Sequence, residues 1–138
     1  MSGLSAFLKQ NQQEIKNVRF AASRLYRDED GKPMEWEMRM LDSEEVGRIR
    51  KACTNIVGVG KKVVVDNERF NRMFAAGCTV FPNLHDKELQ DSYGVFEPEQ
   101  LIVKLLKIDA EYQAYVQKAL EISGYGQSDG ELVEVAKN

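Results

Sequence analysis

Residues 34–40 read Met-Glu-Trp-Glu-Met-Arg-Met, and this stretch decides what kind of fold the chain can adopt. Its apolar residues occupy every second position, and the residues between them are charged. The apolar positions are Met34, Trp36, Met38 and Met40. Side chains alternate between the two faces of a β-strand, so the pattern predicts a strand with one buried face. We expect that face to be core, because a domain must cover an apolar sheet face; a partner-binding surface is the alternative, because Met adapts to varied shapes.

The residues before this stretch predict that it is half of a β-hairpin. Residues 18–26 are rich in strand-forming side chains, and residues 28–33 carry turn-forming ones. Within that turn, Asp30-Gly31 supplies the position that needs a positive φ. Residues 17–41 are therefore predicted to form an antiparallel hairpin with one buried face.

The rest of the chain favours helices, with apolar residues spaced three and four apart. Asp42 and Glu45 have the spacing of a capping box, Pro98 suits a first helical position, and Gly124 suits a helix end. The predicted helical segments are 3–11, 43–54, 67–80 with Asp66 or Asn67 as its cap, a single turn at 86–90, a helix that starts at Pro98, and a last helix capped by Asp109 and stopped at Gly124.

Residues 56–66 allow two interpretations. They contain Gly58 and Gly60 followed by Lys-Lys-Val-Val-Val, which fits either a third strand near 61–65 beside the hairpin or a loop with a short extended tip. The predicted fold class is therefore α+β: an N-terminal antiparallel β-hairpin, with a third strand as an option, packed against four to five α-helices. We expect one globular domain over residues 1–124 and a loose C-terminal tail over 125–138, where Gly, Ser, Asp and Glu dominate.

The bulk composition argues against several classes of protein. The chain has 138 residues with a net charge of −3, and its cations are mostly balanced by acids, which is unlike a nucleic-acid-binding domain. The N-terminus lacks a secretory pattern, and no window approaches the roughly 20 apolar residues of a membrane span. We therefore expect a soluble intracellular protein with no nucleic-acid or membrane partner.

The residues that usually carry catalysis are scarce. His85 is the only histidine, and Cys53 and Cys78 are best explained as buried free thiols. The run Gly58-Val59-Gly60-Lys61-Lys62 lacks the first glycine and the Ser or Thr of a phosphate-binding loop. Two cysteines and one histidine do not supply a zinc site. No enzyme activity, metal or cofactor is predicted.

A block at residues 82–95 carries a family resemblance. It reads Pro-x-Leu-x-x-x-x-Leu-Gln-Asp-Ser-Tyr-Gly-Val, ahead of a leucine-rich helix. The block resembles one in phage tail assembly chaperones of the XkdN-like type, from prophages and phages with contractile tails. Weaker matches in the same order extend the resemblance over roughly residues 4–124. They are residues 20–27, 28–33, Trp36-Glu37, 43–45 and 50–54.

The resemblance implies a non-catalytic assembly factor. Such a chaperone binds the tape measure protein, keeps it soluble and helps tail tube subunits polymerise around it, in the host cytoplasm and not in the finished virion. Many relatives are also made in a longer frameshifted form that contacts the tube protein, and residues 131–138 are compatible with such a site. The alternative function is a structural tail component, such as a tube or baseplate connector. The oligomeric state is left open.

A chaperone of a long helical partner needs an apolar groove. The candidate groove residues are Leu101, Leu105, Tyr112 and Tyr115, with Tyr93 at the rim; the alternative is that they are core. For the motif itself, the residues favour a structural join in which Asp91 and Ser92 cap backbone groups, Gly94 takes a positive φ, and Tyr93 buries its ring. The family-motif turn comprises Leu89, Gln90, Asp91, Ser92, Tyr93 and Gly94.

Overall fold

The computed structural model describes residues 3–126, which form five α-helices and five short strands. Two 3-10 turns, Leu4–Phe7 and Lys9–Asn11, precede them. The strands are β1 Val18–Phe20, β2 Trp36–Met38, β3 Thr54–Val57, β4 Lys62–Val65 and β5 Thr79–Phe81. The helices are α1 Ser43–Ala52, α2 Asn67–Cys78, α3 Lys87–Tyr93, α4 Pro98–Leu105 and α5 Asp109–Ile122. The predicted α+β class is confirmed.

The N-terminal hairpin forms as the alternation predicted. β1 and β2 pair antiparallel, with Phe20 opposite Trp36 and Val18 opposite Met38. Trp36 and Met38 are buried, so the apolar face of the hairpin is core and not a free surface. In the connecting turn, the Asp28 carboxylate accepts hydrogen bonds from the backbone N–H groups of Asp30 and Lys32, at 2.9 Å each.

The third strand of this sheet comes from a place that the sequence did not indicate. The strand order is β1-β2-β5, so residues 79–81 pair with β2. The predicted helix over 67–80 ends at Cys78, and the β-branched Thr79 and Val80 continue as strand. The Thr79 hydroxyl bonds back to the carbonyl of Ala75 at 2.8 Å, which closes the helix end.

Residues 61–65 do form a strand, but it does not join the N-terminal hairpin. β4 pairs antiparallel with β3 to make a separate two-stranded sheet. The option that residues 61–65 form a third strand beside the N-terminal hairpin is therefore wrong. The physical reason is that a short turn at residues 58–61, with Gly58 at φ +81, lets β4 fold directly onto the strand before it.

Three of the helix starts follow the residues predicted for them. Asp42 and Glu45 form a complete capping box at α1, Asp66 caps α2 by accepting from the N–H of Arg69, and Pro98 is the first residue of α4. Asp109 is the first residue of α5 and not its cap. Helix α2 packs against α1, α4 and α5, which places it at the centre of the helical layer.

The core centres on Tyr115, which is 1% exposed. Its ring lies edge-on to Trp36 at 5.4 Å between centroids and stacks on Phe20 at 6.2 Å, so α5 covers the apolar face of the hairpin. A polar tie reinforces this contact: the Glu111 carboxylate on α5 accepts from the Ser23 hydroxyl at 2.8 Å and from the Arg24 N–H at 3.0 Å.

The two ends of the described chain differ in how closely they pack on the core. At the N-terminus, Leu4 and Phe7 are exposed. At the C-terminus, the ring of Tyr125 packs edge-on to Phe74 at 6.0 Å, and the remainder of the predicted tail lies outside the described residues. No helix within residues 3–126 is long and apolar enough to cross a membrane.

Candidate partner-binding cleft

The family-motif block folds mostly as a helix. Residues 87–93 form α3, where the sequence predicted only a helical turn followed by a join. Asp86 caps the helix by accepting from the Leu89 N–H at 2.9 Å. Asp91 and Ser92, which were predicted to cap backbone groups in a join, lie inside the helix instead. Gly94 ends it at φ +67, the positive φ that was predicted.

Helix α3 forms one wall of an apolar cleft with a volume of about 270 Å³. The N-terminal hairpin, β5 and the end of α4 form the other walls. The lining residues are Tyr26, Met34, Trp36, Phe81, Pro82, Leu89, Tyr93 and Leu105. Three of them belong to the family block, namely Pro82, Leu89 and Tyr93, so the most specific sequence motif of the chain builds this surface.

A short chain of hydroxyl groups fixes the geometry of the cleft. The Tyr26 hydroxyl donates to the carbonyl of Leu105 at 2.6 Å. The Tyr93 hydroxyl lies 3.3 Å from the Tyr26 hydroxyl and is placed to donate to a lone pair of the Tyr26 oxygen. Burial, with the Tyr93 contact, raises the pKa of Tyr26 above its usual value, so this hydroxyl stays protonated in the physiological range. The bonds hold α3 against the end of α4 and leave apolar ring surface facing the cleft.

The structure separates the predicted partner-binding residues into three groups. Tyr93 and Leu105 both line the cleft. Leu101 and Tyr115 are buried and present no surface in this conformation. Tyr112 is half-buried and lies beside Arg72 and Asp109, away from the cleft. Binding of a partner by any of these residues stays a prediction.

Sequence reasoning missed the cleft residues that come from outside the block. Tyr26, Met34 and Phe81 lie on three separate segments, and only the fold brings them beside Tyr93. Phe81 is the most available of them, with 45% of its surface exposed on an edge strand. The position of Phe81 directly before Pro82 was the one local clue to its place in the site.

A second, more open groove of about 430 Å³ lies between α1, α2 and the start of α4. Its rim is charged, because Arg69 and Glu99 form an ion pair across it at 3.5 Å, and His85 lies exposed at its edge. Charged side chains of this kind are common on protein surfaces. The groove is therefore a weaker candidate for a binding site than the apolar cleft.

The two cysteine thiols in the described part of the chain are free and buried. Cys53 and Cys78 are buried, as predicted, and burial raises the pKa of the Cys78 thiol to about 11. Within residues 3–126, no three His, Cys, Asp or Glu side chains cluster in a way that could hold a metal ion.

The fold and the cleft together define a small α+β protein with an open apolar cleft on its surface. Comparison with known families makes the assignment specific. The family model of phage XkdN-like tail assembly chaperone proteins matches residues 4–137, so the chain belongs to that family. The resemblance noted in the sequence is confirmed.

Two curated relatives from Bacillus subtilis strain 168 match along nearly the whole chain. YqbN is 29% identical over 138 aligned residues, and the phage-like element PBSX protein XkdN is 26% identical over the same number. Each alignment spans 98% of this chain and 93% of the relative. A crystal structure of the protein YqbN has the same fold, with a TM-score of 0.77 at 22% identity, over 91% of this chain and 98% of that one.

Proposed function

We propose that this tail assembly chaperone is non-catalytic and binds the tape measure protein, keeps it soluble and promotes polymerisation of the tail tube around it. Its place of action is the host bacterial cytoplasm, before the virion is complete. Membership of the chaperone family supports a role in tail assembly. Identification of the tape measure protein as the partner goes beyond the family match, and it depends on the chemistry of the cleft.

The observation that carries the proposal is the apolar cleft beside α3. A helical partner is held in such a groove by a few apolar side chains spaced one helical turn apart. The cleft offers aromatic and aliphatic surface with a hydroxyl pair at its base, and Phe81 and Tyr93 lie where an inserted side chain would contact them. Leu105 contributes the floor, while Leu101 and Tyr115 are buried in the core.

Co-expression with the tape measure protein tests this proposal. We expect the tape measure protein to be soluble with this chain and to co-elute with it on gel filtration, and to be insoluble alone. Phe81→Ser should reduce the co-eluted amount severalfold, because it removes exposed aromatic surface from the cleft. Phe96→Ser is the matched control, since Phe96 is 86% exposed and lies outside the cleft lining.

Other outcomes would point elsewhere. If the tape measure protein stays insoluble with the wild-type chain, and this chain is found in purified tails, the protein is a structural tail component. If Phe81→Ser and Phe96→Ser behave alike while the wild type binds, the chaperone role stands and the cleft is not its binding surface.

A longer frameshifted form that contacts the tail tube protein is a further part of the proposal. The residues that would precede the frameshift, 131–138, lie outside the described residues. The nucleotide sequence around the 3′ end of the coding region tests it directly. We expect a slippery heptamer and an overlapping open frame; the absence of both would exclude the longer form.

A further inference from the structure

The β3–β4 hairpin carries more exposed large apolar side chains than any other element among residues 3–126. Facing pairs in the register place Ile56 with Val63, and Thr54 with Val65, on one face of this two-stranded sheet. Ile56 is 70% exposed and Val63 is 62% exposed, although both are strong strand formers. A two-stranded sheet with an uncovered apolar face is at best marginally stable in water, and exposed apolar patches mark binding surfaces.

The base of the hairpin is nevertheless held firmly. The N–H of Asp66 donates to the carbonyl of Cys53 at 2.8 Å, and the Arg69 guanidinium donates to the carbonyl of Ala52 at 2.9 Å. Asp66 also caps α2, and Cys53 is buried in contact with Met73. The hairpin is thus an arm anchored where α1 ends and α2 begins, while its side chains point into solvent.

The arm and the second half of α1, which leads into it, are the basic part of an acidic protein. Residues 46–65 contain five cationic residues and no Asp or Glu, whereas the whole chain carries −3, so the rest of it carries −8 (−3 minus +5). The five are Arg48, Arg50, Lys51, Lys61 and Lys62. Within the part of the chain that the structure describes, none of them is in an ion pair. Lys61 and Lys62 are exposed at the outer end of the arm.

We propose that the apolar face of the β3–β4 hairpin binds an amphipathic helix whose apolar stripe is flanked by Asp and Glu. Ile56, Val63 and Val65 would contact the stripe, and Lys61, in the turn at the outer end of the arm, would pair with the acidic flank. Lys62, which pairs with Val57 on the opposite face, and Lys51, in the last turn of α1, would add to the positive potential that attracts the helix. The inference deepens the proposed function and rests on it, because the helix would belong to the tail protein that the chaperone binds. The hairpin then forms a second contact, separate from the cleft.

The geometry favours a helix over the other possible occupants. A strand added at an edge of the hairpin would satisfy backbone groups but leave Ile56 and Val63 exposed, whereas a helix lying across the face covers them. Nucleic acid would pair with the lysines but offers no apolar surface for the valines. An acidic amphipathic helix satisfies both features, and its charge is opposite to that of the arm.

The test uses the full chain and a synthetic probe. The probe is a peptide of about 20 residues, long enough for a stable helix, with Leu in a heptad pattern and Glu on both flanks. A matched peptide carries Lys at every Glu position. Isothermal titration should detect binding of the acidic peptide and at least a tenfold weaker affinity for the basic one, because the charges of the arm repel it.

Variants of the arm locate the binding. Ile56→Ser with Val63→Ser should weaken binding of the acidic peptide at least tenfold, and Lys61→Glu with Lys62→Glu should do the same. Lys104→Glu with Lys107→Glu is the matched charge control, since both lysines are exposed and lie outside the arm. Phe96→Ser is the apolar control. Both controls should bind the peptide as the wild type does.

Several results would overturn the inference. They are equal binding of the two peptides, unchanged binding by the arm variants, self-association through the arm without peptide binding, and capture by vesicles containing phosphatidylserine in place of the peptide. The co-expression experiment distinguishes failure of the arm inference from failure of the proposed function. If the tape measure protein is solubilised equally by the wild type and by the arm variants, the chaperone role holds and the arm inference fails.

Discussion

At the scale of single residues, Tyr115, one of the candidates for partner binding, is buried in the core with its hydroxyl fully bonded. The Tyr115 hydroxyl donates to the Thr79 side chain, which itself donates to the carbonyl of Ala75, so the phenol is satisfied although buried. Burial raises the pKa of Tyr115 well above its usual value, so the hydroxyl stays neutral. This arrangement assigns Tyr115 to the packing of α5 on the hairpin.

Tyr115→Phe should lower the free energy of unfolding by about 1 kcal/mol, because one buried hydrogen bond is lost and Thr79 keeps its own. Tyr115→Ala should cost about 3–5 kcal/mol through loss of packing. Urea unfolding followed by the fluorescence of Trp36, the only tryptophan, measures both. If Tyr115→Phe were fully stable yet failed to bind the tape measure protein, Tyr115 would be a contact residue after all.

The ion pair between Arg39 and Glu45 makes stability depend on pH. The Glu45 carboxylate accepts two bonds from the Arg39 guanidinium, at 2.6 and 3.0 Å, and one from the Asp42 N–H at 3.2 Å. The Arg39 bonds are the main cause that lowers the pKa of Glu45 to about 2, from 4.5. Because the folded pKa lies below the unfolded one, the stabilisation is present above pH 4.5 and is lost as pH falls towards 2.

Glu45→Gln keeps the capping-box acceptor but removes the charge. Since both side chains are partly exposed, we expect a loss of about 1 kcal/mol in the free energy of unfolding at neutral pH, shrinking towards zero near pH 2. Thermal unfolding from pH 2 to pH 7 measures this difference. Glu44→Gln is the control, because it removes a charge from the same helical turn without touching the pair. Equal effects of the two changes would mean that the helix dipole, and not Arg39, is responsible.

At the scale of elements, local chemistry predicted most starts and ends correctly. The alternation of residues 34–40, the capping box at Asp42 and the Pro at 98 each act within one or two turns, so the sequence alone carries their information. Strand β5 was not predicted, because Thr79 and Val80 continue the apolar spacing of α2. They form a strand only because they pair with β2. The partner of β4 could not be identified from residues 61–65, because a run of three valines does not show which strand it pairs with.

Gly94 offers a direct test of the α3 terminus. An Ala at this position would have open space around its Cβ but would be forced to keep φ near +67, so Gly94→Ala should destabilise the fold by about 1–2 kcal/mol. Gly94→Asn should cost less, because Asn tolerates this conformation. The measurement is the urea midpoint at constant slope.

Gly47→Ala is the matched control for that change. Gly47 also has open space around it but lies inside α1, so Ala should stabilise by up to about 1 kcal/mol. A destabilising Gly47→Ala, or a neutral Gly94→Ala, would contradict the backbone explanation.

At the scale of the whole molecule, the candidate site could be predicted only in part. The block at 82–95 identified the family and three residues of the cleft, because a motif is local in sequence. The opposite wall could not be found, since Tyr26 and Met34 reach the cleft only when β2 pairs with β5 and α4 packs below them. Of the groove residues predicted from helical spacing, Leu101 and Tyr115 are buried and Leu105 lines the cleft, because spacing alone cannot distinguish a covered stripe from an open one.

The anchored base of the β3–β4 hairpin implies that the body of the protein folds without the outer part of the arm. Replacing residues 56–63 with Asn-Gly would join Asn55 to Val64 through a two-residue turn and keep the bond between Asp66 and Cys53. The removed side chains are exposed, so little buried apolar area is lost.

We therefore expect the melting temperature of this shortened chain to stay within about 4 °C of the wild type, which corresponds to less than roughly 1 kcal/mol. Differential scanning calorimetry measures it, and gel filtration confirms that the shortened chain has not aggregated. Ile49→Ser is the comparison, because Ile49 packs against the core on α1 and its loss should lower the melting temperature further. A shortened chain that unfolds as readily as Ile49→Ser would mean that the arm is part of the folding unit, and its exposed apolar face would then need a structural explanation in place of a binding one.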